Sequence, residues 1–151
     1  MRFVKYWLPV GCWLALMFIG STDLFSAAQT SRIIGPLLRW LNPNISAAAI
    51  AQVQFFVRKA AHLTEYAILA ALLWRALRGT VATMRMSILM VTVFLICVGF
   101  AASDEFHQSF TASRTASSGD VLIDAAGTLV GLMLCWMFAG REINRKSKGW
   151  A

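Results

Sequence analysis

At 151 residues with 58% apolar residues, 14% charged residues and a net charge of +7, the chain departs from a soluble domain, whose charged share is about 25%. Lys and Arg crowd short linkers and the C-terminal tail instead of forming a stripe among exposed aromatics, which argues against nucleic acid as a partner. Cys12, Cys97 and Cys135 are odd in number, lack CxxC spacing and each lie in an apolar run, so they read as small buried side chains and not as a disulfide framework or zinc site.

The first apolar stretch runs from about Trp7 to Phe25. Arg2 and Lys5 before it, and Phe25-Ser26-Ala27-Ala28 after it, also give it the outline of a signal peptide. A retained helix is the expectation. Residues 26–54 form the longest connection. Ile33, Ile34, Leu37, Leu38 and Leu41 recur there at roughly helical spacing beside Trp40, which predicts a short amphipathic element on the outer leaflet. Asn42-Pro43-Asn44 breaks the chain, and Ser46 is placed to cap the next helix.

Three more apolar stretches follow: about Phe55 to Leu77, Met86 to Phe106 and Val121 to Ala139. Each approaches the ~20 residues that cross ~30 Å of hydrocarbon, and lipid offers an open backbone no partner, so helices are required. The prediction is an all-α, polytopic four-transmembrane-helix bundle, one domain over 1–151. With the N-terminus in the cytoplasm, Arg2, Lys5, Arg75, Arg78, Arg85, Arg141, Arg145, Lys146 and Lys148 lie inside, against Arg32, Arg39, Arg58, Lys59 and Arg114 outside. The excess favours both termini inside.

In that orientation the acidic residues segregate. Asp23, Glu65, Asp104, Glu105, Asp120 and Asp124 fall in the outer half with His62 and His107, and Glu142 alone falls inside. Arg58, His62 and Glu65 share one helical stripe. Asp104 and Gln108 stand four apart, as do Asp120 and Asp124. Gly127 and Gly131 extend the Asp120/Asp124 stripe inward, where small residues let helices approach closely. Glu65 lies ~10 Å below Arg58 along a helix. An ionised group at the bilayer centre costs at least ~2.5 kcal/mol, so these groups must face the bundle interior, pair, or change protonation. Register-fixing ion pairs are the bland explanation; so many polar groups on one face favour a functional site.

At these residues the chain resembles the VanZ-like family. The likeness lies in Lys59-Ala-Ala-His62-Leu-Thr-Glu65-Tyr66-Ala67-Ile-Leu, in Ser103-Asp104-Glu105-Phe106-His107-Gln108 with Arg114 downstream, and in Asp120-Val-Leu-Ile-Asp124-Ala-Ala-Gly127. Gly20-Ser21-Thr22-Asp23 is similar to the family's polar step after the first span. Ala112-Ser113 departs from the Pro-Gly that members often carry before the Arg. The resemblance covers about Trp7 to Ala139. It implies a bacterial inner-membrane protein acting at the outer leaflet; the founding member is linked with teicoplanin resistance, and the family has been grouped with membrane enzymes that process lipid head groups.

The residues support chemistry on a lipid-linked, phosphate-bearing head group. Arg58, Lys59 and Arg114 are candidates to hold the phosphate. His62 or His107 is the candidate general acid or base, oriented by Glu65 or Asp124. Asp104, Glu105, Asp120 and Asp124, with Gln108 nearby, are candidates to activate a hydroxyl or water, or to hold Mg²⁺ or Mn²⁺ through oxygen. The competing classes are a lipid- or antibiotic-binding protein without catalysis and a small transporter subunit. Transporters build midplane sites from broken helices, a pattern not found here. A bundle of this size stands alone or pairs through its glycine face.

Overall fold

A computed structural model describes residues 1–20, 27–81, 83–108 and 118–148. They form α1 (Arg2–Gly20), α2 (Ala27–Leu41), α3 (Ala47–Thr80), α4 (Met86–Gln108) and α5 (Ser118–Lys148), and no strand occurs among the described residues. α1, α4 and α5 are each long and apolar enough to cross a membrane. Their outward faces carry Leu8, Leu16 and Phe18, then Ile88, Val91 and Leu95, then Leu122, Leu129, Met133 and Trp136, all exposed. Contiguous apolar surface of this kind marks a face made for lipid. The chain is a multi-pass membrane protein.

The second predicted span became part of the longest helix. α3 has 34 residues, about 51 Å of helix. Ser46 adopts extended backbone and its hydroxyl accepts from the Ala49 N–H at 3.2 Å, the N-cap that its position predicted. Before it, Asn44 N–H donates to the Asn42 side chain at 3.2 Å, an Asx turn that ends α2. Hydropathy alone does not mark α3 as a span, because Arg58, Lys59, Glu65, Arg75 and Arg78 interrupt it. Its place in the bundle explains part of the tolerance: α3 packs against α5, α1, α4 and α2, so Lys59 and Glu65 are partly covered by protein, while Arg58, Arg75 and Arg78 are exposed.

The core runs along α3 through Tyr66, Leu69, Ala70, Leu73, Trp74, Ala76 and Leu77, all buried. α4 answers with Leu89, Val93, Cys97, Ala101 and Glu105, every fourth residue and all buried. That stripe is apolar until its last member, so Glu105 is the polar end of a core-facing row. Of the three cysteines, Cys97 is buried and Cys135 half-buried, but Cys12 is exposed on α1. The expectation of burial fails there because α1 packs only one side of itself against α3.

Contacts set the helix directions. Lys59 pairs with Asp120 and His62 with Asp124, while Gly127 and Gly131 press on the carbonyls of Leu63 and Ala67. Numbers ascend together, so α3 and α5 run parallel. α1 runs against α3: Tyr6 lies on Gly79, and the Trp13 indole donates to the Glu65 carbonyl at 3.1 Å. α4 follows α1, with the Phe18 and His107 rings in contact at the same end, centroids 5.0 Å apart.

Candidate functional site

The polar residues of α3, α4 and α5 collect at one end of the bundle, in layers. Nearest the end, the Lys59 ammonium is held by the Asp120 carboxylate, with side chains 23% and 15% exposed. One turn deeper, His62 Nδ1 lies 3.1 Å from Asp124 Oδ1. His62 is 17% exposed and Asp124 only 1%. One turn deeper again, the Thr128 hydroxyl donates to the Asp124 carbonyl at 2.9 Å. The buried Tyr66 lies within electrostatic reach of Asp124, Asp104 and Glu65. Asp104 and Asp120 bear on Asp124 as well, and Glu65 bears on His62.

Helical periodicity and small residues together produce this. Lys59, His62 and Tyr66 recur at i, i+3 and i+7, and Asp120, Asp124 and Thr128 at i, i+4 and i+8, so each set lies on one face. Gly127 and Gly131 remove the side chains that would hold the two faces apart, the small-residue packing of membrane helices. Close approach brings short Asp side chains within reach of His and Lys from the neighbouring helix.

Chemically, the central element is the His62–Asp124 pair. A carboxylate at Nδ1 holds the imidazole as the tautomer protonated at Nδ1, which leaves the Nε2 lone pair to take a proton. Burial of Asp124 makes the arrangement rigid, since a carboxylate removed from water without a partner is costly.

A family model supplies the remaining observation. The VanZ/LLP1 model matches residues 6–139, nearly the full length of the chain and every helix that builds the polar end. The chain belongs to the VanZ/LLP1 family. No curated protein and no solved structure gives a significant match.

In this VanZ/LLP1 protein the structure gathers some of the candidate residues and separates others. His62, Glu65, Asp104, Asp120, Asp124 and Lys59 converge. Glu105 is buried on the inward face of α4. Arg58 is exposed; the inward face of α3 is Lys59, His62 and Tyr66, and not the Arg58, His62, Glu65 stripe expected from spacing. At Glu65 the backbone carbonyl accepts the Trp13 indole N–H from α1. His107 is exposed, and its ring meets that of Phe18 of α1 at a tilt of 34°. Gln108 is the last residue of α4, while Arg114 and Asp23 lie outside the described residues. Among the described residues no three His, Cys, Asp or Glu side chains gather to hold a metal ion.

Sequence reasoning left out Thr128, Trp13 and Phe55. Thr128 was detectable as the next four-residue step after Asp124. Phe55 stands four residues before Lys59, and its ring centroid is 5.1 Å from Lys59 Nζ. Trp13 sits in an apolar run that carried no signal.

Proposed function

We propose that this VanZ/LLP1 protein is an enzyme that processes a lipid-linked, phosphate-bearing head group, and that it thereby affects susceptibility to glycopeptides such as teicoplanin. In this reading α3 is a fourth membrane span, both termini are cytoplasmic in a bacterial inner membrane, and the polar end opens to the outer leaflet. The basic residues at the opposite end support that orientation: Arg75 lies over the Tyr6 ring and Arg78 over Trp74, as expected of side chains at a cytoplasmic interface.

The observation that carries the reading is the His62–Asp124 pair, 3.1 Å apart, with Asp124 buried and His62 partly exposed. His62 Nε2 takes the proton of an attacking hydroxyl or water. That oxygen bonds to phosphorus, the ester P–O bond breaks, and the departing oxygen receives the proton. Asp124 keeps the imidazole oriented and stabilises its charged form, the usual division of labour in a His–carboxylate pair. Arg58, which is exposed, and Arg114, which lies outside the described residues, are the candidates to hold the phosphate.

Lipid extracts of cells with the wild-type protein, without it, and with His62→Asn test this by mass spectrometry. A head-group change present only with the wild type is expected. Identical lipids in all three would overturn the enzyme reading and favour a protein that retains a lipid or antibiotic without transforming it.

A further inference from the structure

The charge at the polar end is lopsided. Among the described residues, Glu65, Asp104, Glu105, Asp120 and Asp124 bring carboxyl groups to this end, and Lys59 and His62, the cations facing in with them, each lie against a carboxylate. Arg32, Arg39 and Arg58 are exposed. A phosphate that passes Arg58 and reaches the layer of Asp120 and Asp124 meets carboxylates.

Lys59 shows what the carboxylates can hold. Its ammonium sits on Asp120 Oδ1 with the Phe55 ring centroid 5.1 Å away. A carboxylate beside an aromatic face is a general way to bind an ammonium group. One turn deeper, Asp124 uses Oδ1 for His62, and its buried Oδ2 makes no hydrogen bond. Asp124 is only 1% exposed. A buried carboxylate oxygen left without a donor calls for one, and a primary ammonium offers three.

We propose that the head group received at this end carries a primary ammonium beside its phosphate, and that Lys59 Nζ marks where that ammonium is held. The inference rests on the lipid head-group reading above and adds its substrate class. The incoming ammonium takes over Asp120 and Phe55 from Lys59 and extends toward Asp124. The phosphate stays outward, near Arg58. This orientation sets the reacting phosphorus on the open side of His62.

The test uses the full-length His62→Asn protein, so that turnover does not consume the lipid. It is placed in phosphatidylcholine bilayer discs with a minor fraction of phosphatidylethanolamine or phosphatidylglycerol, and retained lipid is counted by native mass spectrometry. Phosphatidylethanolamine retained about tenfold better than phosphatidylglycerol, a difference of roughly 1.4 kcal/mol, is the expected result. Adding Lys59→Met should raise phosphatidylethanolamine retention, because the internal competitor is gone, and adding Asp120→Asn should erase the preference.

Equal retention of both lipids overturns the ammonium inference while leaving the head-group reading to the cell-lipid experiment. A fall in retention of both lipids with Lys59→Met assigns Lys59 to the phosphate and also overturns it. Mg²⁺ alone abolishing the preference at millimolar concentration would assign the carboxylates to a metal cation. Retention of neither lipid sinks the inference as well. Should Asp120→Asn fail to fold, the Lys59→Met result decides.

Discussion

Gly127 packs directly on the Leu63 carbonyl, and a methyl group added to it would collide with backbone. This contact sets the distance between α3 and α5 immediately below His62 and Asp124. Gly131 repeats it one turn deeper, against Ala67. The candidate site and the closest helix crossing are therefore one structural unit.

Gly127→Ala should destabilise the protein in detergent by about 1–3 kcal/mol, the usual cost of overpacking, despite the better helix propensity of Ala. It should also reduce activity, because separating the helices lengthens the His62–Asp124 contact. Gly99→Ala, with open space around it, serves as the control and should be neutral or slightly stabilising. Thermal unfolding of the three proteins checks this; equal midpoints for the two variants would contradict the packing.

His62→Ala and His62→Asn should differ in stability and agree in function. Removing the ring leaves Asp124 buried without its partner, which costs about 3–5 kcal/mol for a buried pair. Asn replaces the Nδ1 donor with an amide N–H2, so most of that loss should be recovered. Neither variant has a base, so both should lose the head-group change in cell lipids. Full activity in His62→Asn would remove His62 from the chemistry.

Lys59 and Asp120 are partly exposed, so their pair should be worth about 1 kcal/mol or less to stability. A double-mutant cycle with Lys59→Met and Asp120→Asn measures it. A much larger coupling would mean that the pair holds the helices together, and the ammonium-marking role proposed for Lys59 would lose its basis.

Orientation in the membrane is checked by thiol labelling. In a background lacking Cys12, Cys97 and Cys135, a cysteine replacing Arg114 should react with an impermeant reagent added from the periplasmic side of intact cells. One replacing Arg78 should react only after lysis. The opposite pattern inverts the topology and moves the site to the cytoplasmic face.

Much of this was legible before any coordinates. Long apolar runs bounded by Arg and Lys identify membrane helices without reference to their neighbours, because the cost of carrying charge into hydrocarbon acts on each segment alone. Asn42-Pro43-Asn44 followed by Ser46 located a helix start for an equally local reason, the satisfaction of unpaired N–H groups by a capping hydroxyl. Hydropathy understated α3 and α5, since a helix continues past its apolar part as long as nothing breaks it.

Segregation of Asp, Glu and His into one half of the chain's helices also follows from the sequence by itself, as does the pairing of small residues with the Asp120/Asp124 stripe. Which side chain meets which does not. Spacing placed Arg58 beside His62 as readily as Lys59, and it treated His107 as the equal of His62. Only the parallel packing of α3 on α5 gave Lys59 to Asp120 and His62 to Asp124, turned Arg58 outward and left His107 on Phe18. The reason is that periodicity specifies a face for each helix but not its rotation against a partner. That rotation is settled where two backbones come closest, at Gly127 and Gly131, and every polar contact above them follows from it.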